Sequence, residues 1–504
     1  MSRATMLSLS GALRSGSASL ALGGGEDTPR AAVGVILLAL STLALAVTAG
    51  AKVKDVVPVV LLLVVFALGY RVLLSWSSAL TTLLLVVLFI PIRRYALPGN
   101  LPFQLEPYRL LVFLIGLGWF ASLLVDPRVR LRRSGFEGPL VMILVATLAS
   151  DIANPARVNG LSKDVAKTLT FSLSYLLVFY LVVSVVRSPQ LVDRFVKVLV
   201  GGGAVVAVAS IYEYRTGYNV FNHVADVIPV LKPSGPPIIP ERGGRERVYA
   251  SAQHPIALGA ALVMLLPLAI YLAKTSGKRR WTVIGVLLLL GALATLSRTG
   301  TIMLVALIFV LVRLRPELKR LWPALIPLLA VIHVALPNTL GALVGSFHPK
   351  GGLVKSEQQG KGTYGSGRLA DLGPGLHEAK SHLLFGEGYG TRITEWGRAN
   401  APILDDQWLG TLLEVGLLGT CAWLWLFGRA YRRIARRARS DPSPRGWLFS
   451  ALAASIIAFP IGMMTYDAFA FIQVNLMLYL MLAFAAILLA LPEQTTTEGV
   501  AHAA

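Results

Sequence analysis

The sequence predicts an all-α fold: a polytopic transmembrane helix bundle of about 12–14 helices, with one long extracytoplasmic loop carrying an amphipathic helix. Three observations predict it. Of the 504 residues, 55% are hydrophobic and only 14% charged, whereas globular domains carry about a quarter charged residues. Mean hydropathy is +0.67. Finally, the chain is punctuated by apolar runs of spanning length, and its clusters of Lys and Arg fall in alternate gaps between them.

In order, residues 1–30 are a Ser-, Gly- and Ala-rich cytoplasmic tail without a cleavable signal pattern. Eleven runs follow within 31–337, near 31–49, 56–74, 77–92, 108–126, 138–154, 166–186, 195–213, 256–273, 281–297, 300–313 and 321–337, with an outer loop at 214–255. The long loop is 338–407. Three more runs occupy 408–490, near 408–428, 447–465 and 470–490, and 491–504 is a second cytoplasmic tail. Basic clusters at Arg128–Arg133, Lys274–Arg280, Arg313–Arg320 and Arg429–Arg445 all land on one side when fourteen runs span. That side is cytoplasmic. Within the long loop Leu369, Leu372, Leu376, Ala379 and Leu383 recur at helical spacing, the pattern of a helix lying on the outer membrane surface.

The net charge of +21 follows this topology and suits anionic headgroups of membrane lipids. No basic domain interleaved with aromatics is present, so no nucleic acid partner is expected. The single cysteine, Cys421, excludes an intrachain disulfide and a cysteine metal site. Seven histidines without ligand spacing predict no metal, and no cofactor is expected.

Candidate chemistry gathers on the outer side. Arg247, Arg298 and Arg368 are candidate phosphate ligands, because a guanidinium donates two parallel hydrogen bonds and stays charged; each alone equally suits a snorkelling or turn-fixing role. His254 precedes Pro255 at a helix start, where a polar cap is the commoner role. Gly386, Gly388 and Gly390 in LLFGEGYGT let backbone amides approach an anion. Asp405 and Asp406 stand where the long loop meets a membrane helix: one caps it, or one takes a proton from a sugar hydroxyl while Trp408 stacks on the sugar. Glu414, two turns deeper, needs a partner, and an outer arginine is expected.

These segments resemble the O-antigen ligase and O-antigen polymerase family of polytopic membrane glycosyltransferases, over roughly residues 140–420. The resemblance lies in Arg247 seven positions before His254-Pro255, in Ser297-Arg298 at a helix end, in Arg368 opening a segment closed by the 386–390 glycines, and in Asp405-Asp406-Gln407-Trp408-Leu409 leading into Glu414–Gly419. Two positions depart from the family pattern: Ile256 stands where asparagine is frequent, and Asp405 where ligases carry histidine. The second leaves general glycan ligase or polymerase chemistry open.

The resemblance implies an enzyme of the bacterial plasma (inner) membrane with its active site facing outside. It implies a polyprenyl-diphosphate-linked glycan donor and a glycan or glycolipid acceptor. Transfer would be metal-independent and inverting, with Arg247, Arg298 and Arg368 on the diphosphate. Asp405, with Asp406 second, would be the catalytic base, and His254, Trp408, Gly388 and Gly390 would line the substrate. The competing readings are a lipid-linked glycan flippase or other polysaccharide transporter, which calls for charges near the midplane and alternating-access repeats, and a structural scaffold for envelope assembly.

Overall fold

A computed structural model describes residues 75–491 except 99–103, 128, 236–240, 243–244, 350–351, 354, 356–367 and 395–396. The runs expected at 31–49 and 56–74 and both tails lie outside these residues. The chain forms two compact units. The smaller comprises residues 1–83 and 117–130; the larger comprises 84–116 and 131–504 and holds every site residue discussed below.

Every run expected from residue 77 onward is a helix. These are α1 (Trp76–Phe89), α2 (Pro107–Val125), α3 (Glu137–Ala153), α4 (Pro155–Gly160, a short connector), α5 (Ser162–Val185), α6 (Pro189–Thr216), α7 (Pro255–Ser276), α8 (Arg279–Ala294), α9 (Arg298–Leu314), α10 (Leu325–Ala335), α11 (Thr339–Phe347), α12 (Leu372–Ala379), α13 (Gln407–Ser440), α14 (Pro444–Gly462) and α15 (Ile472–Ala490). Of the described helical segments, eight are long and apolar enough to cross a membrane. The protein is an all-α polytopic membrane protein.

Burial sorts the helices. α7 and α15 are apolar on every face, and their hydrophobic windows are 89% and 94% buried, as expected of helices surrounded by protein rather than lipid. α14 and α13 pack beside them, and α9 against α14. Close approach relies on small residues: a β-carbon on Gly291 of α8 would lie 2.8 Å from that of Ala207 on α6. Buried polar side chains satisfy backbone groups, as where Ser455 donates to the Met264 carbonyl at 2.7 Å.

Three of the basic clusters meet at one end. Arg429 Nε donates to the Gly135 carbonyl at 2.7 Å, Arg433 lies over Phe136, and Arg315 bonds the Ala438 carbonyl at 3.0 Å. Trp447 sits under Arg315 and Lys274. The connections at the opposite end carry the site.

Among the described residues, strand structure forms two short antiparallel pairs. Tyr95–Ala96 (β1) pairs with Lys232–Pro233 (β2), Tyr95 opposite Pro233, and Glu241–Arg242 (β3) pairs with Arg245–Glu246 (β4). The first pair brings Arg94 to the loop before α7, where it donates to the carbonyls of Ala250 and Ala252 and to Asn222 Oδ1. It also lies 4.8 Å over the Tyr249 ring. Burial lowers its pKa to about 10, so it remains charged at neutral pH.

The long loop corrects one expectation. Its amphipathic helix is only Leu372–Ala379, followed by a 3-10 turn at Lys380–His382. Gly373 and Gly375 shorten it. Gly375 and Ala379 pack on α13 at Leu409, while Leu369, Leu372 and Leu376 point outward.

Candidate functional site

Four turns at one end of the larger unit carry the candidate chemistry. The segment 247–254 leads into α7, 295–298 joins α8 to α9, 404–406 leads into α13, and 463–471 joins α14 to α15. Arg247 is buried, and its Nε donates to the Thr295 carbonyl at 3.2 Å, which ties the first turn to the second. Thr299 Oγ1 donates to the Thr465 carbonyl at 3.1 Å, which ties the second to the fourth. Ile472 donates to Gln253 Oε1 at 3.2 Å, which ties the fourth back to the first. Each of the first three turns contains a non-glycine residue in the left-handed region: Ala250 (φ 40°), Leu296 (φ 49°) and Asp405 (φ 52°). Such conformations cost of order 1–3 kcal/mol each and persist only where surrounding contacts enforce them.

The two aspartates separate into distinct roles. Asp406 is the cap: its Oδ1 accepts from the backbone amides of Trp408 at 2.9 Å and Leu409 at 3.1 Å. Asp405 does not cap. Its side chain is 43% exposed and forms an ion pair with buried Arg368, 3.8 Å away. Burial raises the Asp406 pKa, opposed by the two capping amides and by Arg368.

A third acid, Asp467, joins them from the turn between α14 and α15. It opens onto a cavity but is otherwise closely surrounded. Burial first, then the negative charges of Asp405 and Asp406, push its pKa up to about 7, opposed by the Asp405 amide and by Arg368. The sequence carried one signal for it: a lone carboxylate in the short outer connection between the last two apolar runs.

His254, Arg298 and Trp408 all sit at helix starts. His254 caps α7, its Nδ1 accepting from the Ile256 amide at 3.3 Å, and its ring stacks on Phe471. Arg298 is the first residue of α9, directly after the cap Ser297. Trp408 Nε1 donates to the Pro460 carbonyl at 2.8 Å, its ring packs against Phe427, and it is not in the lining of the large cavity. The indole that faces the large cavity is Trp423, beside Phe469.

The glycine run packs against α13 of the protein itself. α13 is broken at Gly416 (φ 64°, ψ −165°), and across the break the chain pairs with the 383–388 segment. Leu417 and Leu418 donate to the carbonyls of Leu383 and Leu384, and Glu387 and Gly388 donate to those of Leu413 and Glu414. A β-carbon at Gly416 would lie 2.3 Å from the Leu384 oxygen. Irregular backbone at this depth is tolerated because it is enclosed by protein. The Glu414 carboxylate meets the amides of Gly390 and Arg392, with the Arg392 charge nearby. The arginine expected beside Glu414 is therefore Arg392. Gly388 is engaged with Ser150 and Glu414, whereas Gly390 lines the large cavity.

That cavity encloses about 1300 Å³. Its lining includes Arg93, Arg109, Lys163, Lys167, Arg392 and Arg398, together with Gln407, Glu414, Asp467 and Asn475. Arg247 instead lines a separate pocket of about 360 Å³ with Glu213, Asn219 and Tyr249. Neither Arg298 nor Arg368 is in the lining of either space.

Comparison with protein families bears directly on these turns. Residues 283–424 match the O-antigen ligase family. The family read from the four motifs is thus borne out over this stretch, which holds Arg298, Arg368, Gly388, Gly390, Asp405, Asp406 and Trp408. Arg247, His254 and Asp467 lie outside the ligase region, as do most of the cavity's cations. No curated protein matches the chain.

Proposed function

We propose that this protein transfers a glycan from a polyprenyl-diphosphate donor to a sugar hydroxyl, at the outer face of a bacterial plasma membrane. The observation that carries this reading is the pairing of Arg368 with Asp405, a carboxylate relieved of capping by its neighbour, inside the ligase region. In the proposed reaction Asp405 accepts the proton of the acceptor hydroxyl. The hydroxyl oxygen attacks the anomeric carbon from the face opposite the diphosphate, giving inversion. The bond from carbon to phosphate oxygen breaks, and its electron pair leaves with the diphosphate. Arg247, Arg298 and Arg368 stabilise that charge, the role a metal ion fills elsewhere. A guanidinium suits it because it remains protonated and donates in pairs.

The cavity opens beside two of the four turns, at Leu404 and Asp467, which suits a substrate chamber on one side better than a transport path.

The test is alanine substitution of Arg247, Arg298 and Arg368 in purified protein, with transfer from a polyprenyl-diphosphate glycan as readout. Each should lower kcat/KM at least tenfold while folded protein is retained, and lysine should restore only part. Near wild-type transfer by all three alanine variants would overturn the assignment.

A further inference from the structure

The cations of the large cavity are not those assigned to the diphosphate, and they run against the topology. Outer connections of membrane proteins are normally poor in Lys and Arg, yet six such side chains line this one space. Three are neutralised: Arg109 by Glu106 at 2.7 Å, Arg398 by Asp164 at 2.7 Å, and Arg392 by Glu378 at 2.5 Å and Glu387 at 3.6 Å. The side chains of the other three, Arg93, Lys163 and Lys167, form no ion pair with an acid among the described residues, although the Arg93 backbone amide donates to Glu106 Oε1 at 2.5 Å.

Lys163 and Lys167 stand four residues apart at the start of α5, on one helix face. Beside them the Arg109 guanidinium lies 4.8 Å over Phe171, which also lines the cavity. Further in, the wall turns to hydrogen-bonding side chains and rings: Ser172, Gln407 and Asn475, with Trp423 and Phe469. Asp467 is part of the same wall. Amide and hydroxyl groups alternating with aromatic faces suit sugar rings. A volume of about 1300 Å³ exceeds the roughly 300–1,000 Å³ of ordinary small-molecule sites and accommodates several linked sugars.

We propose that this cavity is the acceptor site, and that its acceptor is an anionic saccharide whose carboxylate or phosphate groups meet Lys163, Lys167 and Arg93. The acceptor role rests on the glycan-transfer reading; the anion-binding role does not. The exposed lysines attract the ligand through solvent, so the effect weakens over the ionic strengths at which the Debye length falls below about 10 Å.

The test is equilibrium binding to the full-length protein in detergent micelles. The probes are an oligogalacturonate, a neutral maltooligosaccharide of equal length, and a short-chain polyprenyl diphosphate. The oligogalacturonate should bind at least tenfold more tightly than the neutral chain at low salt, and the advantage should shrink as salt rises. Lys163→Ala with Lys167→Ala should remove most of it. Lys232→Ala, an exposed outer-side lysine outside the cavity, should not. Equal binding of the two saccharides, or an advantage unchanged in the double variant, would overturn the proposal. So would displacement of bound oligogalacturonate by polyprenyl diphosphate at equal concentration, which would make the cavity the donor's own diphosphate site. Lysine-dependent binding in a protein that shows no transfer would leave the anion site standing and remove the glycan-transfer reading instead.

Discussion

Asp467→Asn removes a carboxylate that the fold disfavours in its charged form. Burial and the charges of Asp405 and Asp406 raise its pKa from 3.8 to about 7. Holding the proton across that interval corresponds to about 4 kcal/mol at most, and the opening of Asp467 onto the cavity reduces this to about 2 kcal/mol. The native protein holds this proton more tightly than the unfolded chain does. Stability is therefore lost as pH rises from the unfolded pKa near 4 through about 7, and the loss is complete above that. Asparagine does not titrate, so the variant should gain on wild type across this window and the gain should level off near pH 7. Thermal unfolding of both proteins in the same detergent, at steps from about pH 4 to 8, reads the difference directly. A carboxyl band in the infrared spectrum that titrates near pH 7 and vanishes in the variant would identify the group. A stability difference that stays constant across that range would refute the assignment of the raised pKa to Asp467.

Three further outcomes follow from the same geometry. Asp405→Asn should abolish transfer with little change in stability, whereas Asp406→Ala should lose about 1 kcal/mol of stability through its two capping bonds and Asp406→Asn much less; unfolding curves and transfer rates on the three proteins check this. Gly416→Ala should destabilise by about 3 kcal/mol or more, because its φ of 64° with ψ of −165° is open only to glycine and a β-carbon meets the Leu384 oxygen; a thermal midpoint equal to wild type would contradict the helix break. With Cys421 replaced, cysteines at 355 and 439 should label from opposite sides of intact cells with an impermeant thiol reagent, 355 from outside.

The helices were legible because each apolar run must be long enough to satisfy its backbone in lipid, and the shared end of the basic loops followed from charge alone. The break in α13 was not, since Gly416 in TLLEVGLLG permits a break without requiring one; it depends on contact with Leu384, some thirty residues earlier. The glycine run at 386–390 was expected to let amides approach an anion; the Gly390 amide meets the Glu414 side chain, and only folding brings the two segments together. Adjacent Asp405 and Asp406 could not be told apart as cap and free carboxylate until the left-handed turn at Asp405 was known. Trp408 meets Pro460 and Phe427, and in sequence an aromatic at a helix start looks alike whether it faces a cavity or a neighbouring helix. The cavity's basic wall was hard to read because Arg93, Lys163 and Arg398 come from connections far apart in the chain, although basic residues in connections expected to lie outside, against the usual charge bias, were a visible signal.

The central claim is glycan transfer with Asp405 as the base. The most direct measurement reconstitutes purified protein in liposomes with a polyprenyl-diphosphate glycan and an excess of acceptor saccharide, with a chelator present, and follows both products. The account predicts one polyprenyl diphosphate released for each glycan transferred, an inverted anomeric linkage in the product, and no transfer by Asp405→Asn protein that still binds donor. Movement of intact donor across the bilayer without any new glycosidic bond would contradict it, as would full transfer by the Asp405→Asn variant.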